Sequence, residues 1–178
     1  MRYIQNDEPD PSPIIDWERF NGSFRHDIEF PACALAYTLF KFISLRASIK
    51  KKELEEPVVI LHELFLIESD LAKWLENLPS SWDFTRFDSF ERSGTSFGGH
   101  LHCYRDIWIS RIWSHYRWTR ITVQESIQHH LAELPIQVAL TFANRQFQSV
   151  TILRQMATDI CVSVPFHLCH CNIQPEER

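Results

Sequence analysis

The sequence predicts an all-α protein, a bundle or array of about four main helices around one long aromatic-rich helix, and three observations predict it. Thirteen Phe and six Trp stand against only four Gly in 178 residues. That balance suits thick ring packing between long elements better than a turn-rich β sandwich. Apolar residues recur at three- and four-residue spacing through most of the chain, the rhythm of helices with one buried stripe. Prolines at 31, 57, 79, 135 and 165 fall where those stretches begin or stop. With 44% hydrophobic and 23% charged residues the chain is able to fill one core, so disorder and fibrous classes are excluded.

Residues 1–30 form the lead-in. Asn6 to Pro13 alternates proline with acids and offers little to bury, which predicts an extended segment. Pro31 suits the first turn of a helix carrying Leu35, Leu39, Phe42, Ile43 and Ile49, and Lys50-Lys51-Lys52 suits the negative end of its dipole. Because Glu53, Glu55 and Glu56 follow at once, the lysine run reads as a solvated helix end and not as a phosphate patch or import signal. Pro57 opens a second helix with Leu61, Leu64, Phe65, Leu71, Leu75 and Leu78 on one stripe, Glu68 as the exception, and Pro79 as its stop. From Ser80 to Gly99 the rhythm dissolves, predicting a connecting loop. A third helix is expected from about Leu101 or Tyr104 to Glu133, on the order of 45 Å long. Ile109, Ile112, Trp113, Tyr116, Val123, Ile127 and Leu131 make its stripe, and Tyr104, Trp108 and Trp118 put rings on other faces. After Pro135 a fourth helix carries Leu140, Phe147, Val150, Ile152, Leu153, Met156 and Ile160 and is expected to stop before Pro165. The helical region thus spans 31–168, followed by a polar tail, 169–178.

The net charge of −5 gives the chain no electrostatic reason to seek nucleic acid or an anionic membrane. No uninterrupted apolar run reaches the roughly 18 residues a membrane span needs, and the first seven residues are too polar for a secretion signal. Cys33, Cys103, Cys161, Cys169 and Cys171 are odd in number and scattered, which fits free thiols in a reducing compartment.

Several groups invite chemistry. Gly94-Thr95-Ser96-Phe97-Gly98 matches the Gly-x-Ser-x-Gly elbow of serine hydrolases, but the preceding stretch has no strand alternation and the chain no βα repeats, so the motif reads as a loop. His100, His102 and Cys103, and again His167, Cys169, His170 and Cys171, are soft-ligand types without the two-to-four-residue spacing of a zinc site, and read as surface histidines and thiols. His129-His130 reads as a pair suited to a helix C-terminus. Arg105, Arg111, Arg117 and Arg120 interleave with rings, and are expected to flank packed aromatics and pair with acids such as Glu63, Asp70 or Glu76. The Trp and Tyr side chains read as core first and effector pocket second.

Three segments together resemble the C-terminal regulatory region, the fungal-specific transcription factor domain, of the binuclear zinc-cluster (six-cysteine) transcription factors. In residues 68–82 a helix bearing Trp74 ends at Leu78-Pro79 and Trp82 follows. Residues 104–121 look like that family's long aromatic helix with a Tyr-Arg pair, Tyr116-Arg117. Asp159 to Phe166 is similar to its Ser-Val-Pro-Phe helix exit. The resemblance covers about 31–168 and implies a nuclear, non-enzymatic transcriptional regulator. Its expected partners are proteins of the transcription machinery, a full-length homologue or a second copy, or a small effector, with no nucleic-acid or membrane contact by this chain. The family's zinc module, with its paired Cys-x-x-Cys, has no counterpart here, so no cofactor, metal ligand or catalytic residue is assigned; zinc belongs to that missing module. The family's region also usually runs beyond the Ser-Val-Pro-Phe exit, so residues 31–168 read as a truncated portion. The alternatives are a stand-alone scaffold or dimerisation remnant, and a hydrolase using Ser96.

Overall fold

The computed structural model of the protein describes residues 30–88 and 97–168. Among them are five helices and one two-stranded sheet: α1 (Phe30–Lys50), α2 (Pro57–Glu76), β1 (Thr85–Asp88), β2 (His100–Cys103), α3 (Ile107–Ala132), α4 (Ile136–Thr141) and α5 (Ala143–His167). The all-α architecture around a long central helix is as expected. The lead-in before residue 30, the expected tail from 169 onward and Ser96 lie outside the described residues.

In α1 the buried positions Pro31, Leu35, Thr38, Phe42 and Ala47 follow helical spacing and face α2 and α3. The helix closes on Lys52, which adopts a left-handed φ of 58°. There the Glu53 amide donates to Ser48 O (2.9 Å) and the Lys52 amide to Ile49 O (3.0 Å), the two reversed bonds that close many helices, usually on glycine. By length and composition α1 is the one described helix apolar enough to cross a membrane, with a mean hydropathy of 1.3. Of that helix Pro31, Leu35, Thr38, Phe42, Ile43 and Ala47 are buried within the protein.

Pro57 sits at the start of α2, where the absent amide hydrogen would have had no partner. The buried face is Ile60, Leu61, Leu64, Ile67, Leu71 and Trp74, with Leu75 exposed, so the stripe is rotated from the sequence reading. Glu68, the polar exception on that stripe, pairs with Arg120. Pro79 then leads into one 3-10 turn, Ser80–Trp82, which drives Trp82 fully into the core.

The expected loop from Ser80 to Gly99 is corrected in part: residues 85–88 and 100–103 pair antiparallel, with Thr85 opposite Cys103 and Asp88 opposite His100. At the β2 end Gly98 and Gly99 hold positive φ values of 62° and 78°. They form a reverse turn in which the His100 amide donates to Phe97 O (3.2 Å); consecutive left-handed residues of this kind favour glycine. Four-residue arms cannot stand alone, and β2 is held by α5, against which it packs with Leu101 and His102 buried.

Helix α3 starts at Ile107, later than expected, because the Asp106 carboxylate caps it by accepting from the Ile109 amide (2.8 Å). Its 26 residues extend about 39 Å, and it packs most extensively on α5 and then on α2. Ile109, Trp113, Tyr116, Val123, Ile127 and Leu131 are buried as anticipated. The expected fourth helix is two: Phe142 leaves helical geometry (φ −101°, ψ 8°) between α4 and α5. Pro165 does not stop α5, which continues to His167. The missing Pro165 amide frees only the carbonyl of Cys161, an exposed residue. The buried residues of α5 are Ser149, Met156, Val162, Ser163 and Pro165, and the helix packs on both α3 and β2. Leu140 and Phe147, expected to be buried, are 68% and 75% exposed.

Candidate functional site

Two of the places where rings and cations lie together contrast, one closed and one open. The closed one lies between β2, the Trp82 turn and the first half of α3. Arg117 is 1% exposed, and its guanidinium lies 5.3, 5.7 and 5.2 Å from the ring centres of Phe84, Tyr104 and Trp113. It donates to the Tyr104 hydroxyl (2.5 Å), and Nη2 lies 3.4 Å from His102 Nδ1. Its Nε has no partner, and no carboxylate is paired with it among the described residues. Burial, and then the Arg117 charge, hold the His102 imidazole down at about 4, so it is neutral. Burial raises the Tyr104 phenol despite Arg117. The arginine charge is therefore faced by π clouds and neutral acceptors.

Arg120, one turn on, has a carboxylate. Its Nη2 and Nε donate to Glu68 Oε1 (2.6 and 2.9 Å) and its Nη1 to the Tyr116 hydroxyl (2.7 Å). Burial pushes that phenol up to about 12. The expected pairing of these arginines with acids holds in kind for Arg120, but the acid is Glu68, because Asp70 is taken by Lys41 at 2.8 Å. Arg105 pairs with the adjacent Asp106 (3.2 Å), and Arg111 is exposed.

Of the soft-ligand groups, His100 is turned to Asp88 (Nδ1 to Oδ1 2.7 Å) and His102 to Arg117. Cys169, His170 and Cys171 lie outside the described residues. His167 Nε2 lies 3.0 and 3.2 Å from the hydroxyl oxygens of Ser110 and Ser114, bridging α5 to α3. Burial lowers the His167 imidazole, with Arg117 and Arg111 adding to it. A serine beside a neutral histidine has the composition of a nucleophilic pair, yet Ser110 is 0% exposed between two helices, where an acyl substrate has no approach.

His129, His130 and Glu133 are the one group of three metal-ligand side chains that converge among the described residues, all within 4.8 Å. The Glu133 carboxylate accepts from His130 Nδ1 (2.9 Å) and meets His129 Nε2 at 3.5 Å. This is a helix end at which two histidines share one carboxylate. The two histidines also edge a hollow of about 360 Å³ shared with Arg46, Lys50 and Glu125, two cations and one acid.

The open place is a cleft of about 520 Å³ between the start of α1 and the end of α2, within the usual range for small-molecule sites. Pro31, Thr38 and Trp74 are its buried floor, while Phe30 and Tyr37 stand 61% and 53% exposed at its rim. The Trp74 indole donates to Pro31 O (2.6 Å), locking the floor to α1. Its ring stacks on Tyr116 (4.7 Å between centres) and meets Trp113 edge-on (5.7 Å), so the cleft floor and the core of α3 share one side chain. No protein-family model, curated protein or solved structure matches this chain.

The sequence reading had placed Trp74 in the core first and a pocket second, and it is in both. Phe30 and Tyr37 were not singled out. The available signal was their position off the Leu35–Phe42 stripe, which leaves large rings on the solvent side of α1.

Proposed function

We propose that this chain is a regulatory helical domain of the zinc-cluster transcription factor type, acting in the nucleus by binding a small effector or partner protein and not by turnover. The observation that carries the binding role is the cleft: exposed rings around a hollow whose floor is continuous with the central helix. Support for the family type comes from the three segments that carry the resemblance. Trp74 and Trp82 from the first, Tyr104, Trp113 and Tyr116 from the second and Phe166 from the third form one ring cluster, Trp74–Trp82 at 6.5 Å and Tyr104–Phe166 at 5.2 Å. An occupant of the cleft that prefers one setting of α1 against α2 shifts the population of that helix pair by its differential affinity.

The test is a reporter assay in which the full chain is fused to an unrelated DNA-binding module. The reading expects output to differ about fivefold or more from the module alone, the lower end of ordinary coupling, and to change in a cleft variant such as Tyr37→Ala. Output identical to the bare module would refute it. A second reading, assembly with a second copy or a full-length homologue, is favoured by Ile136, Leu140 and Phe147, which are 72%, 68% and 75% exposed. Light scattering across a concentration series separates the two, since assembly predicts a mass that rises with concentration.

A further inference from the structure

The polar atoms around the α1–α2 cleft are nearly all engaged within the protein. Thr38 Oγ1 donates to Ala34 O (3.2 Å), the Asn77 side-chain amide to Lys73 O (2.7 Å) and the Trp74 indole to Pro31 O (2.6 Å). Lys41 is held by Asp70 at 2.8 Å and lies over the Tyr37 ring at 4.8 Å. That arrangement already fills the place a ligand cation would take against an aromatic wall and its carboxylate. Lys73, on the rim, is a cation with no ion pair or side-chain hydrogen bond among the described residues. The charges of Lys41, Asp70 and Lys73 therefore sum to +1. The positive end of α1 and the negative end of α2 lie side by side here and offset one another, so Lys73 sets the sign.

We infer that the cleft takes a small aromatic monoanion, a flat ring system bearing one carboxylate, with its ring among Phe30, Tyr37 and Trp74 and its carboxylate on Lys73. The biological role of such a ligand rests on the regulatory reading above; the binding itself does not. A neutral aromatic gains the apolar contact alone. An aromatic cation meets Lys73 with like charge.

Calorimetric titration of the full chain with 2-naphthoate tests this, with 2-naphthylmethylammonium as the cationic counterpart and tryptophan emission as a second readout. The expected result is one naphthoate per chain, bound at least about tenfold more tightly than the ammonium compound, the factor a single favourable charge contact of this exposure supplies. Lys73→Glu, at an exposed position in the last turn of α2, is expected to lower the melting temperature by only a few degrees and reverse that preference. Ala34→Phe, which fills the hollow, is expected to abolish both, and Tyr37→Ala, at the exposed rim, to weaken both where Ala34→Phe fails to fold. Equal binding of the two compounds, no naphthoate binding, or a preference unchanged in Lys73→Glu overturns the inference. Naphthoate binding as expected with a silent reporter sinks the regulatory reading and leaves the ligand class standing. A responsive reporter without naphthoate binding does the reverse.

Discussion

The arginine centre and the α1–α2 cleft use the same parts, rings plus a cation, to opposite ends. At Arg117 three rings lie 5.2 to 5.7 Å from a charge that is 1% exposed, so its neighbours Phe84, Tyr104 and Trp113 are structural. At Lys73 the rings Phe30 and Tyr37 stand exposed around a hollow, and the charge faces solvent. The lesson is that the combination of rings and cation does not mark a ligand site by itself; concavity and an unengaged polar group do. Substitutions in the closed region should cost stability and leave ligand affinity alone, and substitutions in the open region should do the opposite.

The largest effect that could break this contrast is Trp113→Ala, which empties a ring-lined site and orphans the Trp82 carbonyl that its indole binds at 2.9 Å. A loss of about 4 kcal/mol is expected in urea denaturation, against less than about 0.5 kcal/mol for exposed Tyr37→Ala. Next are the two arginines. Arg120→Met strands Glu68, whose side chain is only 15% exposed, and should cost about 3 kcal/mol. Arg117→Met leaves no carboxylate behind and should cost about 1 kcal/mol, read as the shift in midpoint at constant m. If the two cost the same, the account of Arg117 as a charge satisfied by rings fails.

Acid sharpens the contrast further. His102 is neutral in the fold at about 4 and has an ordinary value near 6.5 when unfolded. Its contribution is therefore fully present above about pH 6.5 and lost as pH falls toward 4, on the order of 3 kcal/mol across that window. His115 and His167, also lowered chiefly by burial, act with the same sign. His102→Gln should flatten the pH dependence of the denaturation midpoint. A small effect of opposite sign lies outside both regions. Lys52→Gly, at the left-handed closure of α1, should stabilise by about 0.5 kcal/mol.

Helix existence was legible wherever proline or apolar spacing spoke locally, as at Pro57 and along Ile109 to Leu131. Boundaries failed where a side chain decided them: the Asp106 cap starts α3 later than its aromatic run suggests, and α5 tolerates Pro165 because the carbonyl it frees belongs to an exposed residue. The β1–β2 hairpin was invisible because its two arms are four residues each and are held by α5, a contact between residues far apart in the chain. Glu68 was visible as an anomaly, but its partner lies 52 residues away. The cleft was the least legible feature, since it depends on how the start of α1 and the end of α2 meet, with Trp74 bonded to Pro31, which no spacing within either helix encodes.

Hydrogen exchange with and without 2-naphthoate tests the division between open and closed regions most directly. The account predicts added protection confined to amides of residues 30–41 and 70–78, which border the cleft. Protection centred on residues 100–117, around His102 and Arg117, or none at all, would contradict it.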